Sequence, residues 1–464
     1  VSSHASRYCH WLLLCSLACC LGCGADVEPD AGGEEAAPAS AGSSSAPPSE
    51  AELIEQLSAI GYLAGTETAH DFHGVIQHDP QRVAPGLNLI TSGHGPVALL
   101  MNLDGEVVHE WRAEFAQVFP DHPRAESAKE PRQNFWRAAL LFPNGDLLVI
   151  WELFGLFKLD RDSRVLWAVP EPAHHALQLT ESGEIVHLQA ERKMIPEIAG
   201  KLAVEDYIVV RDSEGRELRR VAMSDALSNV HWPRLRKAFW DRSKERGYGL
   251  NEKSVYAPFH TNSLWLLSPA EAARLGDSFR AGDALVSMAM LDTVAIIDME
   301  KGVTRWSQQG PFGMQHGPRL TLDGDIILFN NFLEADRSSV LTLNPRTRRV
   351  VREYTGPVSE PLHSRRSGRV QVLPNGNTLV VETDRGRALE LAEDGEAVWE
   401  FRSPYRVGER GGKVAGLYSL ERVGADRASW LYSEKEGAAP SPTQKEGGAD
   451  TRPAPPQIAR PESR

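Results

Sequence analysis

Apolar positions along the body of the chain fall into short runs with strand alternation, and the runs recur in sets of about four. The clearest set is "SGRVQVLPNGNTLVVETDRGRALELAEDGEAVWEF", residues 367–401. The same order of strand, glycine-centred turn and strand returns in "RAALLFPNGDLLVIWELFGLFKLDRDSRVLWAV" and in "HHALQLTESGEIVHL" with "DYIVVRDSEGRELRRV". It returns again in "HTNSLWLL" with "DALVSMAMLDTVAIIDMEKGVTRW", and in "QHGPRLTLDGDIILFNNF" with "SVLTLNPRTRRVVREY". Asn-Gly, Asp-Gly and Ser-Gly turns suit tight hairpins, so each set predicts a four-stranded antiparallel sheet.

The two ends of the body hold incomplete sets. "VALLMNLDGEVVHEW" supplies the outer half of a unit and "GLYSLERVGADRASWLYS" an inner half. Pairing them completes a sixth unit and closes a ring, which leaves no open sheet edge. The expectation is an all-β chain, a six-bladed β-propeller spanning 85–433. A β-sandwich is the alternative, and it does not account for four-strand periodicity with matching turns. Trp111, Trp167, Trp306 and Trp399 close units at one phase and predict packing between blades.

Three segments depart from the repeat. Residues 225–257, rich in Trp, Arg and Lys, read as a helical and loop insertion covering one end of the ring. Trp232 and Trp240 within it are candidates to contact a ligand. In the lead-in, 51–84, Leu53, Leu57 and Ile60 fall on one helical face and Gly61 stops the run, predicting a short N-terminal helix. Residues 24–50 and 434–464 carry almost no large apolar side chains and read as disordered tethers.

All five cysteines lie within the first 23 residues. The body therefore has no disulfide, cysteine metal site or thiol nucleophile. The run "WLLLCSLACCLG" after His4 and Arg7 is too short to span a bilayer stably and reads as an export signal over 1–23. Its end, "LGC", is similar to a bacterial lipoprotein signal in which Cys23 is lipidated, with Cys20 at a usually aliphatic position. Cleavage without lipidation is the alternative. The expected location is periplasmic, or at the outer membrane or cell surface as a lipoprotein. A formal charge of −13 with no basic run excludes nucleic acid as a partner.

Candidate chemistry sits where units begin. The first strand of a propeller blade lines the central channel, and three units start with histidine: His174-His175, His260 and His316. Histidines at one phase of a closed repeat converge on one mouth. The cluster "HDFHGVIQHD" at 70–79 has metal-ligand residue types, but it reads as a solvated loop before the propeller. Neither a metal nor a cofactor is expected.

Several spaced segments over about residues 85–430 resemble the PAPS-independent bacterial arylsulfotransferases. "PFHTNSL" resembles the family's His-x-Asn-Ser motif, and "QHGPRLTLDGDIILFNN" its Gln-His segment. "HHALQLTESGEIV", "SMAMLDTVAIID" and "VQVLPNGNTLVVETDRGRALEL" resemble further strands of the family. The resemblance implies an aryl sulfate donor, a phenolic acceptor and a sulfohistidine intermediate. It assigns the nucleophile to His316, sulfate-oxygen contacts to His260 and Asn262, and a further site position to His175. Neutral imidazole can attack sulfur, and its N-sulfonate passes the group on. Cationic histidines and an amide would stabilise the sulfuryl oxygens.

Three positions depart from the family pattern. Ala289 stands in "SMAMLD" where the family carries Arg, and alanine cannot replace a guanidinium fork. Arg319, Arg365 or Arg366 are candidates to reach in from another strand. Asn330 stands where the family often has Asp, and Ala176 follows His175 where an acidic residue is common. Two readings stay open: an arylsulfotransferase, or a non-catalytic exported propeller that binds an anionic or aromatic ligand. Water as acceptor, making a sulfatase, is a third.

Overall fold

The computed structural model describes residues 65, 67–130, 133–195, 201–230, 257–334 and 337–431. All lie within the unit Pro47–Arg464. The expected leader, the expected tethers, the expected helix at 51–63 and most of the insertion, with Trp232 and Trp240, lie outside the described residues.

Six antiparallel sheets form the blades of a six-bladed β-propeller. Their innermost strands are Leu417–Val423, Trp136–Leu141, Ala173–Leu179, Thr261–Leu266, His316–Leu320 and Arg369–Val372, for blades one to six in turn. Each touches the next, and the sixth touches the first, so the ring is closed. Burial explains why each set reads as it does. Second strands such as Leu147–Trp151 and Ala284–Met288 are buried throughout, whereas the outer strand Arg349–Tyr354 is nearly all exposed. Hairpin turns place glycine in the left-handed region, as at Gly324 (φ 86°) and Gly376 (φ 88°), a backbone that side chains with a Cβ adopt at a cost.

Ring closure differs in proportion from the sequence reading. Blade one takes three strands from the front of the chain, Leu87–Ser92, Val97–Met101 and Val107–Arg112, and only its innermost strand from the end. The run "LNLITS" is buried at every position and carries no alternation, so it does not announce its strand. The segment read as a solvated loop also differs, because Gly74–His78 adds a fifth strand to blade six. A short helix, Met223–Ala226, opens the insertion. Among the described residues no helix is long and apolar enough to cross a membrane.

The repeating tryptophans join blade to blade. Each indole N–H donates to a carbonyl in a hairpin turn of the following blade: Trp111 to Gly145 (3.2 Å), Trp167 to Ser213 (3.1 Å), Trp306 to Pro345 (3.1 Å) and Trp399 to Leu103 (2.8 Å). The last of these bridges blade six to blade one.

Candidate active site

The site lies where inner strands begin, and blade four holds blade five's first residues in place. Gln315 is fully buried, and its amide nitrogen donates to Ser287 Oγ and the Thr293 carbonyl, both at 3.0 Å. Its carbonyl accepts from Asn262 Nδ2 and Ser287 Oγ, both at 2.9 Å. On one side, the Met314 amide donates to Asp292 Oδ1 at 2.8 Å. On the other, the Gly317 amide donates to Ser263 Oγ at 2.7 Å. A Cβ at Gly317 (φ 59°) would lie 3.2 Å from the Val370 amide nitrogen, so the backbone of blade six closes tightly here. Ser287, Asp292 and Thr293 of "SMAMLDT" therefore serve as a clamp on the Gln315-His316 turn.

That clamp fixes the His316 ring. Its Nδ1 lies 2.8 Å from both the Met314 carbonyl and Asn331 Oδ1. Asn331 is oriented by its own amide, which donates to the Ser364 carbonyl at 2.7 Å and the Ser367 carbonyl at 2.9 Å. Two acceptors facing Nδ1 require the proton there, and the lone pair is then on Nε2. Nε2 is buried and has no hydrogen-bond partner among the described residues.

His316 shares a small cavity of about 20 Å³ with Arg137, Asn262, Arg319 and Arg369. Arg137 comes from the inner strand of blade two, is 3% exposed, and ion-pairs with Glu152 at 3.7 Å. Its guanidinium also lies 4.4 Å from the Tyr418 ring centre. The His175 and His260 rings meet edge to face with centres 5.2 Å apart. Both residues sit in the left-handed backbone region (φ 56° and 46°), a strain of about 1–3 kcal/mol each for residues with a Cβ. His175 is held there by Glu152, which accepts from its amide at 3.1 Å. Asp206 accepts from the Thr261 amide at 2.6 Å and so fixes the residue after His260.

Burial governs the charges. It pushes His316 down to about 3, and Arg137 adds to the effect. It lowers His260 to about 4, again reinforced by Arg137, and His175 well below the ordinary range. All three imidazoles are neutral at pH 7, so the expectation of cationic histidines does not hold. The positive charge of the site comes from arginine. Burial also raises Asp206 to about 7. Glu152, His174 and His175 each place one donor atom within 4.8 Å of the others, a cluster able to hold a metal ion. The Arg137 guanidinium at Glu152 supplies a permanent cation there, which opposes a second one.

A model of the arylsulfotransferase (ASST) family matches residues 138–404, more than half of the 464 residues. The chain belongs to the arylsulfotransferase family. No curated protein matches it significantly. Solved structures similar to it include a Bacteroides caccae protein of unknown function, 14% identical, covering 73% of this chain and 98% of that one at a TM-score of 0.46. Another is a catalytically inactive virginiamycin B lyase from Staphylococcus aureus, 9% identical, covering 74% and 90% at 0.40. A third is the Myceliophteria thermophila Cps50 (Swd1) β-propeller domain, 12% identical, covering 73% and 90% at 0.40.

Of the family-pattern residues, Asn262 and His316 line one cavity, whereas His175 and His260 pack against each other and are not part of its lining. Asn262 is 5% exposed, with Nδ2 on the Gln315 carbonyl and Oδ1 accepting from Ser263 Oγ at 2.9 Å. Ala289 is fully buried in the apolar core, in a 3-10 turn whose amide donates to the His260 carbonyl at 3.2 Å. Of the arginines expected to substitute, Arg319 lines the cavity, while Arg365 and Arg366 are exposed. Arg137, which the sequence reading passed over, joins it. The residue that orients His316 is Asn331, not Asn330. Asn330 accepts from the Gly313 amide at 2.9 Å and donates to Ser339 Oγ at 3.2 Å.

Proposed function

We propose that this arylsulfotransferase-family chain moves a sulfuryl group from a phenolic sulfate ester to a phenolic acceptor, with His316 as transient carrier. The observation that carries the reading is the fixed tautomer of His316, whose Nδ1–H is engaged by Asn331 and Met314. In the first half-reaction the Nε2 lone pair bonds to sulfur as the S–O bond to the aryl oxygen breaks, and the electron pair leaves with the phenolate. The imidazolium character that builds on the ring is borne by Nδ1–H and its two acceptors. In the second half-reaction the acceptor oxygen bonds to sulfur as the N–S bond breaks. The acceptor's proton leaves to water as the N–S bond breaks, which balances the proton that the phenolate released in the first half-reaction takes up from water.

Arg137, Arg319 and Arg369 line the cavity with His316 and offer fixed guanidinium donors to the three sulfuryl oxygens. Ala289 would favour a non-catalytic binder, because it removes the family's guanidinium. Arg137 answers that objection from another blade. The leader supports export with lipid on Cys23.

Incubating the protein with 4-nitrophenyl sulfate and phenol is the test. Release of 4-nitrophenol that saturates in both substrates is expected. Binding of the ester without release would replace the transferase with the binding module, and release independent of phenol would make water the acceptor.

A further inference from the structure

The catalytic cavity does not end at His316. Arg319 and Arg369 line it and also line a second chamber of about 310 Å³. The two spaces therefore adjoin across this arginine pair. Trp265, Leu320, Val370, Val372 and Leu420 give the second chamber mostly apolar walls. Leu322, 52% exposed, stands at its edge.

The pair is unusual in its contacts. Arg319 donates to the Pro318 carbonyl at 2.9 Å and stacks 4.3 Å from the Trp265 ring centre. Arg369 donates to the Tyr418 and His175 carbonyls, both at 3.0 Å. Neither has a carboxylate within the 4.0 Å of an ion pair among the described residues. Glu421 lines the chamber and faces both from further off, and Glu271 is tied to the Trp265 indole at 3.0 Å. Two half-buried guanidiniums whose direct contacts are carbonyls and a ring, with acids only at longer range, have donors left to offer an anion. Burial lowers both to about 10, which leaves them charged at pH 7.

We propose that this chamber is the aryl subsite: the anionic head of an aryl sulfate sits against Arg319 and Arg369, and its aromatic body lies in the apolar chamber beyond. The assignment rests on the transferase reading only for what happens next at His316; the binding itself does not need it. An apolar pocket with a few convergent polar groups is the usual form of a small-molecule site. Glu421, Glu271 and Arg274 also line the chamber, so charge of both signs borders the aromatic body and Glu421 is the acid that faces the arginine pair.

The test uses the whole chain and naphthalene-2-sulfonate, which has the head and the body but no transferable group. Calorimetry on wild type is expected to give saturable binding, with inorganic sulfate competing more weakly. Arg319→Gln and Arg369→Gln are each expected to weaken it at least tenfold. Leu322→Trp changes an exposed position at the chamber's edge, so it leaves folding intact; it is expected to weaken naphthalene-2-sulfonate severalfold and inorganic sulfate hardly at all. Unchanged affinity in both arginine variants, or in Leu322→Trp, overturns the subsite. Normal sulfonate binding with no turnover of any aryl sulfate sinks the transferase reading and leaves the subsite. Turnover with unaltered KM in these variants does the reverse.

Discussion

His316 Nδ1 stands 2.8 Å from Asn331 Oδ1, and the carbonyls of Ser364 and Ser367 prevent the Asn331 amide from turning over. A side chain fifteen residues along the chain thus decides which nitrogen of the histidine holds the lone pair. Asn331→Ala is expected to lower kcat about 10–100-fold with little change in KM, the range for losing such an orienting partner. Asn331→Asp keeps the acceptor toward Nδ1 but sets an oxygen against the Ser364 and Ser367 carbonyls, so it should shift the acidic limb of the rate profile upward without restoring full activity. Equal activity in wild type and Asn331→Ala would remove the orienting role.

Arg137 carries a second expectation. Its charge depresses His175, His260 and His316 alike. Arg137→Gln should therefore raise the titration of all three in histidine NMR, and lower kcat/KM by about 10²–10³-fold as an oxyanion donor is lost. A variant with normal rates would mean that the guanidinium is only structural.

Ala289→Arg restores the family residue in sequence but not in space. Position 289 is packed among Phe259, Met288 and Leu291 with no exposure. A charge there is expected to cost several kcal/mol, about 3 or more, with no gain in rate. A faster or equally stable variant would show that the site can admit it.

The buried histidines set an acid limit on stability. His174 and His316 are lowered to about 3 and His260 to about 4 in the fold, against 6.5 when unfolded. The unfolded chain then binds protons that the folded one refuses. The histidine contribution is full above about pH 6.5 and falls as pH drops toward 4, by up to about 1.4 kcal/mol per unit for each histidine. Asp206, raised to about 7, opposes it by one proton. Urea midpoints measured from pH 7.5 to 4.5 should decline below 6.5, and a flat profile would contradict the burial.

Much of this was legible in the chain. Strand alternation and glycine turns gave the blades, and phase pointed to three histidines, of which His316 lines the cavity while His175 and His260 pack on each other. Arg137 was legible too, since it sits second in the inner strand of blade two as His174 does in blade three; attention to histidine alone hid it. Asn331 was missed for a different reason. Adjacent residues on a strand point to opposite faces, and the irregular pairing after Asn330 obscures which one faces inward. The chamber below the arginine pair joins residues from four inner strands, and no local pattern encodes it.

The central claim is that His316 Nε2 carries the sulfuryl group, and trapping it is the most direct measurement. The protein is mixed with aryl sulfate alone, quenched in alkali, digested and mapped by mass spectrometry. One SO3 group per chain on the His316 peptide, lost when a phenol is added before quenching, is the expected result. A burst of phenol with the label on another histidine, or on none, would contradict it.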